Sequence, residues 1–393
     1  MRRISILMLV FFVCFVSTAW PQAESQREHK IITFDAPGAG TGAGQGTFPY
    51  VIVQGEWIAG NYIDANGVYH GFLHAPDGAI TRFDVPGAGT GAGQGAIEVK
   101  GMTPALEIVG TNMDANNVFH GFLRTPHGKF TIFDAPGAGT ASSQGTGGLS
   151  VNPAGVILGI YLDANNVYHG LLRDPDGTIT PFDAPDAGTA ADSYEGTYPA
   201  NLSGINPKGA SVGESVDANY VYHGYLRAPD GTFTKFDDSN AGTGVDSGQG
   251  TLSLGINPAG EISGVYIDAN YVFHGYMRAP NGTITEYDVP GAGTGTFQGT
   301  NACWFIPCWG GINPAGTVTG FYVDASYVYH GFLRTRDGKF TTFDAPKAGT
   351  GEWQGTQPMT LNPDGAITGF YTDANNVFHG FLRLADRQWE WDR

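Results

Sequence analysis

A Tyr/Phe-His-Gly triplet occurs seven times in this chain, with the histidine at 70, 120, 169, 223, 274, 330 and 379. The intervals are 50, 49, 54, 51, 56 and 49 residues. A unit of this length cannot bury its own apolar face, so its copies must stack on one another. The copy that starts at Gly250 reads "GTLSLGINPAGEISGVYIDANYVFHGYMRAPNGTITEYDVPGAGTGTFQ". It divides into four strand-like runs rich in β-branched and aromatic residues. The first run ends at Asn257-Pro258-Ala259-Gly260, a type I turn pattern. The second, "EISGVYID", ends at Asp268-Ala269-Asn270. The third, "VFHGYMR", ends at Ala279-Pro280-Asn281-Gly282, and the fourth, "TITEYD", runs into a Gly-rich stretch.

Turn residues punctuate the runs every ~8–12 positions, and no helical periodicity stands outside the N-terminal apolar run. Along Val272 to Arg278 both faces are apolar, with Val272, His274 and Tyr276 on one side and Phe273 and Met277 on the other. A sheet packed between two neighbours buries both faces. Four strands in about 50 residues is the period of a propeller blade. We therefore expect an all-β, seven-bladed β-propeller of four-stranded antiparallel blades, with a β-solenoid as the alternative. Ile31-Ile32-Thr33-Phe34-Asp35 copies the fourth run without the preceding three, so it is expected to close the last blade and remove a free sheet edge. Gln388 to Asp392 competes for that place.

The N-terminus has the pattern of an export signal: Arg2 and Arg3, an uncharged apolar run from Ile4 to Val16, then Ser17-Thr18-Ala19. The run is shorter than the ~20 residues of a membrane span; a retained anchor is the alternative. Cys14 lies inside the run and would leave with it. The expected organisation is residues 1–23 as signal, 24–30 as linker and 31–393 as one propeller, secreted or held in the periplasm or at the cell surface as a monomer. Acids outnumber bases 37 to 20, a net charge of −17. Such a chain has no clustered cations for nucleic acid or for an anionic membrane.

Seven copies of Asp-Ala-Asn/Ser…His look at first like seven chemical sites: Asp64 and His70, Asp114 and His120, Asp163 and His169, Asp217 and His223, Asp268 and His274, Asp324 and His330, Asp373 and His379. A structural role fits better. The Asp caps a hairpin turn, and across the hairpin the His lies diagonally beside it, about 7–8 Å away at Cα. An Asp–His hydrogen bond tying turn to strand is the expectation. Zinc would need several ligands at about 2 Å from one ion, and calcium more oxygens than this motif supplies; neither a metal nor a cofactor is expected. The residue after Asn is Gly at 67 and Asn at 117, 166 and 376. Tyr at 220, 271 and 327 is unfavourable there, which leaves the loop geometry of those copies open.

The segments around His-Gly-Phe at 70–72, 120–122, 330–332 and 379–381 resemble the HAF-repeat family of bacterial extracellular proteins, named for His-Ala-Phe. The resemblance spans roughly residues 31–393 and implies export and repetition, with no reaction attached. This chain departs from it by carrying Gly for Ala in every copy.

The Gly-rich stretches, such as "PGAGTGAGQG" at 37–46, have no following Lys, no G-x-G-x-x-G spacing and no helix after them. They read as crossovers between repeats, not phosphate loops. Specificity is expected where the copies differ. From Gln298 to Asn313 there are 15 positions, against 8 from Gln249 to Asn257, so seven residues are inserted. The insert carries Trp304, Phe305 and Trp309 beside Cys303 and Cys308, a candidate disulfide in an exported chain. Trp353 lies in the following crossover. Rigid aromatic loops suit sugar rings or a protein partner, so these four aromatics are the candidate ligand site of a binding module for a glycan or a surface protein. There is no Ser-His-Asp order, no HExxH and no nucleotide motif, hence no catalytic residue is assigned. A polysaccharide hydrolase or lyase is the alternative, with the non-repeat acids Glu56, Glu98, Glu195, Glu214 and Glu352 as its pool. A passive envelope or matrix component is the third reading.

Overall fold

Where the turn residues fall, the chain reverses. The computed structural model describes residues 30–245, 247–301 and 310–385, and every regular element among them is a β-strand. Repeat one supplies Gly46–Ile52, Ile58–Ile63, Tyr69–His74 and Ile80–Phe83. They pair antiparallel in that order, with Thr47 opposite Tyr62, Tyr62 opposite His70 and Gly71 opposite Phe83. Later repeats follow the same plan, as in Gly250–Ile256, Ile262–Ile267, Phe273–Arg278 and Ile284–Tyr287.

The last repeat supplies three strands of its own, Gly355–Leu361, Ile367–Thr372 and Phe378–Arg383. Its fourth is Ile31–Phe34, with Ile31 opposite Arg383 and Phe34 opposite Gly380. On the inside of the ring, the Thr360 hydroxyl donates to the Tyr50 carbonyl at 2.9 Å and accepts the Ile52 N–H at 3.3 Å. The ring is closed by these contacts, as in a β-propeller and unlike a solenoid. The competing segment Gln388–Asp392 lies outside the described residues.

Three devices join each repeat to the next. The inner strand opens on a glycine pressed against the third strand of the preceding repeat. At Gly46 (φ +128°) a Cβ would sit 1.9 Å from the Phe378 carbonyl oxygen, so no other residue fits. The threonine that follows, Thr47, is fully buried and accepts the N–H of Ala36 at 2.9 Å, anchoring the crossover; Thr146, Thr197, Thr251, Thr300 and Thr356 repeat the bond. Near the opposite face, the Asn that opens the first turn holds its own turn through Oδ1 and donates from Nδ2 to the next repeat. The chain of donors runs Asn152 to Asn206, Asn206 to Asn257, Asn257 to Asn313, Asn313 to Asn362 and Asn362 to Val53, at 3.3–3.4 Å. Repeats one and two carry Val53 and Thr103 instead and contribute no amide. Towards the rim, the arginine ending each third strand lies over an aromatic ring of the preceding repeat, for example Arg124 over Phe83 at 4.9 Å and Arg278 over Phe236 at 4.6 Å. In repeat one His74 takes that place against Phe34, with ring centres 4.5 Å apart.

The core sits between the sheets. Ile58, Ile108, Ile157, Ile262 and Ile367 on second strands, and Phe72, Phe122, Leu171, Phe332 and Phe381 on third strands, are wholly buried. Each such side chain contributes about 1.5–3 kcal/mol at most, and one set per repeat accounts for the apolar runs on both faces.

Repeat four departs from the plan. From Gly196 to Asn206 there are 10 positions, against 7 from Gly250 to Asn257. Its inner strand stops at Pro199, and the three extra residues bulge inward. Leu202, at φ +56°, packs with Tyr50 of repeat one and with Met359 and Phe370 of repeat seven. It reaches across the ring and fills the axis.

Candidate functional site

The recurring motif forms a clasp, but its partners differ from the expected pair. Asp64 Oδ1 accepts the N–H groups of Asn66 and Val68 at 2.8 and 2.9 Å, and the other six copies do the same. Burial raises the pKa of Asp64, and these backbone bonds outweigh it, so the carboxyl lies below its ordinary range. His70 donates Nδ1–H to Asp84, the last residue of the fourth run, at 2.6 Å. His169 to Asp183 (2.8 Å) and His379 to Asp35 (3.0 Å) are equivalent. The expected partner stands on the far side of the ring. His169 Nε2 is 3.7 Å from Asp163, beyond hydrogen-bond range, and His223 to Asp217 at 3.5 Å is at its limit. The diagonal position brings the turn Asp near, yet the straight-across strand neighbour is closer. Each His is thus held between two carboxylates, and in five repeats it stacks on a second-strand tyrosine, as His169 does on Tyr161 with ring centres 4.7 Å apart. Among the described residues no group of three or more His, Cys, Asp or Glu could hold a metal ion.

The Gly of each His-Gly pair has its own reason. A Cβ on Gly71 would lie 2.1 Å from the ring of Phe83, and one on Gly170 2.3 Å from Phe182. The fourth-strand aromatic lies flat on the glycine, so alanine is excluded from this fold as packed.

These clasps shape one face of the ring. Each hairpin turn ends on a left-handed residue: Gly67, Asn117, Asn166, Tyr220, Tyr271, Tyr327 and Asn376, with φ between +59° and +80°. The following crossover presents a second left-handed residue, whose N–H bonds to the carbonyl of the first. The pairs are Gly44 on Asn376, Gly93 on Gly67, Ser143 on Asn117, Tyr194 on Asn166, Gly248 on Tyr220, Phe297 on Tyr271 and Trp353 on Tyr327, at 2.7–3.2 Å. The tyrosines therefore keep the ordinary loop geometry, at a cost of about 1–2 kcal/mol each relative to Gly. They also replace the Asn whose side chain accepts a crossover glutamine in repeats two, three and seven (Gln94 to Asn117, Gln144 to Asn166, Gln354 to Asn376, at 2.8–2.9 Å). Backbone held in such wells marks places where another demand dominates. Here the large rings cluster. Tyr271 lies 5.8 Å from Phe297 and Tyr327 5.1 Å from Trp353, and Tyr220, Tyr271, Phe297, Tyr327 and Trp353 pack on one apolar cluster with Tyr198.

Beside Tyr198 a cavity of about 220 Å³ opens between repeats two, three and four. It opens over Gly147 on the inner strand of repeat three, where repeat five has Leu252. Glu98 lines it and pairs with Lys100 at 2.6 Å. Lys100, buried, also bonds Asn201 at 3.0 Å, and Thr111 donates to Glu98 at 3.3 Å. Glu214 lines the same cavity. Burial drives its pKa to about 8, opposed only by the backbone N–H of Ser253, so its carboxyl is protonated at neutral pH. Tyr168 and Tyr198 form the rim, ring centres 4.5 Å apart, with Tyr194 6.3 Å from Tyr168 and 47% exposed.

No family model and no curated protein matches the chain. Among solved structures it is similar to a streptogramin B lyase, with 16% identity over 90% of this chain and 97% of that one, TM-score 0.52. It is also similar to the BP39L lectin from Burkholderia pseudomallei, with 9% identity over 83% of this chain and 91% of that one, TM-score 0.51. These likenesses show a shared fold.

Of the aromatics singled out in the sequence, Trp353 is in the described structure, half-buried against Tyr327 and Tyr329. Trp304, Phe305, Trp309, Cys303 and Cys308 lie outside the described residues. Of the acid pool, the structure brings Glu98 and Glu214 to one cavity and leaves Glu56 and Glu352 elsewhere. Glu195 instead takes the crossover-glutamine position, its carboxylate accepting the Ala190 N–H at 3.3 Å. Sequence reasoning missed Lys100, Tyr168 and the gap over Gly147. The signal was present as a buried-strand lysine and a glycine where repeat five carries Leu252.

Proposed function

We propose that the protein is an exported, seven-bladed β-propeller that binds glycan, and that the cavity between repeats two, three and four holds a sugar ring. The observation that carries the reading is the composition of that cavity. Tyrosine rings at the rim offer the flat faces on which sugar C–H groups stack. Behind them, polar groups already fixed to one another (Glu98 with Lys100, Lys100 with Asn201, Thr111 with Glu98) present oriented donors and acceptors for hydroxyls. At about 220 Å³ the space suits one small ring unit. The chain's acidity supports a neutral ligand, and its Arg-Arg start and apolar run support export.

A second reading rests on one further observation. A protonated Glu214 and a Lys-paired Glu98 face one cavity, and carboxyl groups in such unlike surroundings are the equipment of glycoside cleavage. Glycan binding measured by calorimetry, with product analysis on the same mixtures, tests both. Binding without cleavage that is lost in Tyr168→Ala supports the module. Cleavage that disappears in Glu214→Gln while binding persists supports the hydrolase or lyase. Absence of binding and cleavage sinks both.

A further inference from the structure

We infer that the ligand is an uncharged linear glycan, longer than the cavity, whose chain runs from the cavity along the aromatic arc of repeats four to six. This rests on the cavity being a sugar site. Tyr194, Tyr220, Tyr271 and Tyr327 occupy left-handed positions on the face where the cavity opens. Packing alone does not require them, because the same positions in repeats one, two and seven hold Gly, Asn and Ser in the same backbone geometry. The arc is continuous with the cavity through Tyr198, which lines the cavity and packs on the cluster beneath the arc. A row of half-buried rings, one set per blade, offers stacking surfaces in sequence, which a polymer of ring units can use and a single small molecule cannot. Charge selects the class of polymer. The crossovers at 183–195, 237–249, 288–298 and 344–354 hold ten acidic residues against one basic residue, Lys347, so a uronate or sulfated chain is repelled.

The test is an array of neutral and acidic oligosaccharides in short and long series, probed with three proteins: the native chain, Tyr168→Ala, and a triple variant Tyr220→Asn, Tyr271→Asn, Tyr327→Asn. Asn stands at those positions in repeats two, three and seven, so the triple variant keeps the fold; circular dichroism verifies that. The expected result is neutral glycans bound about tenfold or more tightly when long than when short. The triple variant should lose that gain and keep the short-chain affinity, while Tyr168→Ala weakens short and long alike. A length gain that survives in the triple variant, affinity independent of length, or preference for acidic chains overturns the inference and leaves the cavity reading standing. Neutral sugars failing to bind at any length would overturn both.

Discussion

Two arcs of one face are built on the same backbone and carry opposite side chains. In repeats seven, one and two the paired left-handed positions are Asn376 with Gly44, Gly67 with Gly93 and Asn117 with Ser143. In repeats four, five and six they are Tyr220 with Gly248, Tyr271 with Phe297 and Tyr327 with Trp353. The first set uses residues that accept positive φ readily, and Asn117 and Asn376 add a glutamine bond. The second set keeps the φ values and, Gly248 apart, gives up both advantages. The difference separates what the ring needs to close from what it displays. Repetition specifies the first; its interruption marks the second.

If the scaffold is common to both arcs, damage to it should be indifferent to the arc. Gly121→Ala under the polar arc and Gly275→Ala under the aromatic one would each drive a methyl into a ring, at 2.3 Å from Phe133 and 2.4 Å from Tyr287. Each should destabilise by about 1–3 kcal/mol, read from the urea midpoint at unchanged slope. A large loss at one site and none at the other would show that the blades are not equivalent supports.

Where the arcs meet, the cavity makes the sharper contrast. Glu214 has its pKa raised from 4.5 to about 8 by burial. A raised carboxyl favours the fold while it is protonated. Its contribution is complete below the unfolded value and is lost as pH rises through about 8. Melting temperature should therefore fall across that window in the native chain and stay flatter in Glu214→Gln, the gap reaching roughly a few degrees at the alkaline end. Parallel curves would mean that Glu214 reaches water or a cation that the geometry does not show.

How far the sequence discloses all this depends on which residues repeat. The four-strand unit, its turns and the closing role of Ile31–Phe34 are legible because alternating apolar runs and Asn-Pro-Ala-Gly or Asp-Gly turns recur with the histidine. The clasp is half legible: the turn Asp is foreseen, but the histidine's partner is the fourth-run Asp fourteen residues on (Asp84 for His70), because strand pairing outranks sequence proximity. The cavity is not legible. Glu98, Lys100, Asn201 and Glu214 meet only through the closure of the ring and the inward bulge of repeat four, which no local pattern encodes.

The arcs can also be exchanged one residue at a time. Tyr271→Asn relieves a strained position and should stabilise by about 0.5–1 kcal/mol, while Asn117→Tyr should destabilise by a similar amount. Thermal melts of the two single variants and the double variant check the signs. A Tyr271→Asn variant less stable than the native chain would mean that the ring's packing on the apolar cluster beneath it outweighs its backbone cost.

The smallest expected effect lies in the clasps shared by the two arcs. Hydrogen bonding to Asp183, Asp237, Asp288 and Asp344 raises the pKa of His169, His223, His274 and His330 above the ordinary 6.5, against the opposing pull of burial. A raised histidine stabilises in its protonated form, so the contribution is full below 6.5 and lost as pH rises through the folded value. The groups facing His274 are Asp288, Asp268 and Glu286, all acidic, so their charges act together against the pull of burial. Since Asp288 is largely solvent-exposed, screening holds each clasp to less than about 1 kcal/mol. Titration of His274 by NMR should give a midpoint above 6.5 in the native chain and a lower one in Asp288→Asn, with little change in melting temperature at pH 8. An unchanged midpoint in Asp288→Asn would assign the shift to the turn carboxylate Asp268 on the other side of the ring, and the clasp would then run as the sequence alone suggests, from hairpin turn to strand.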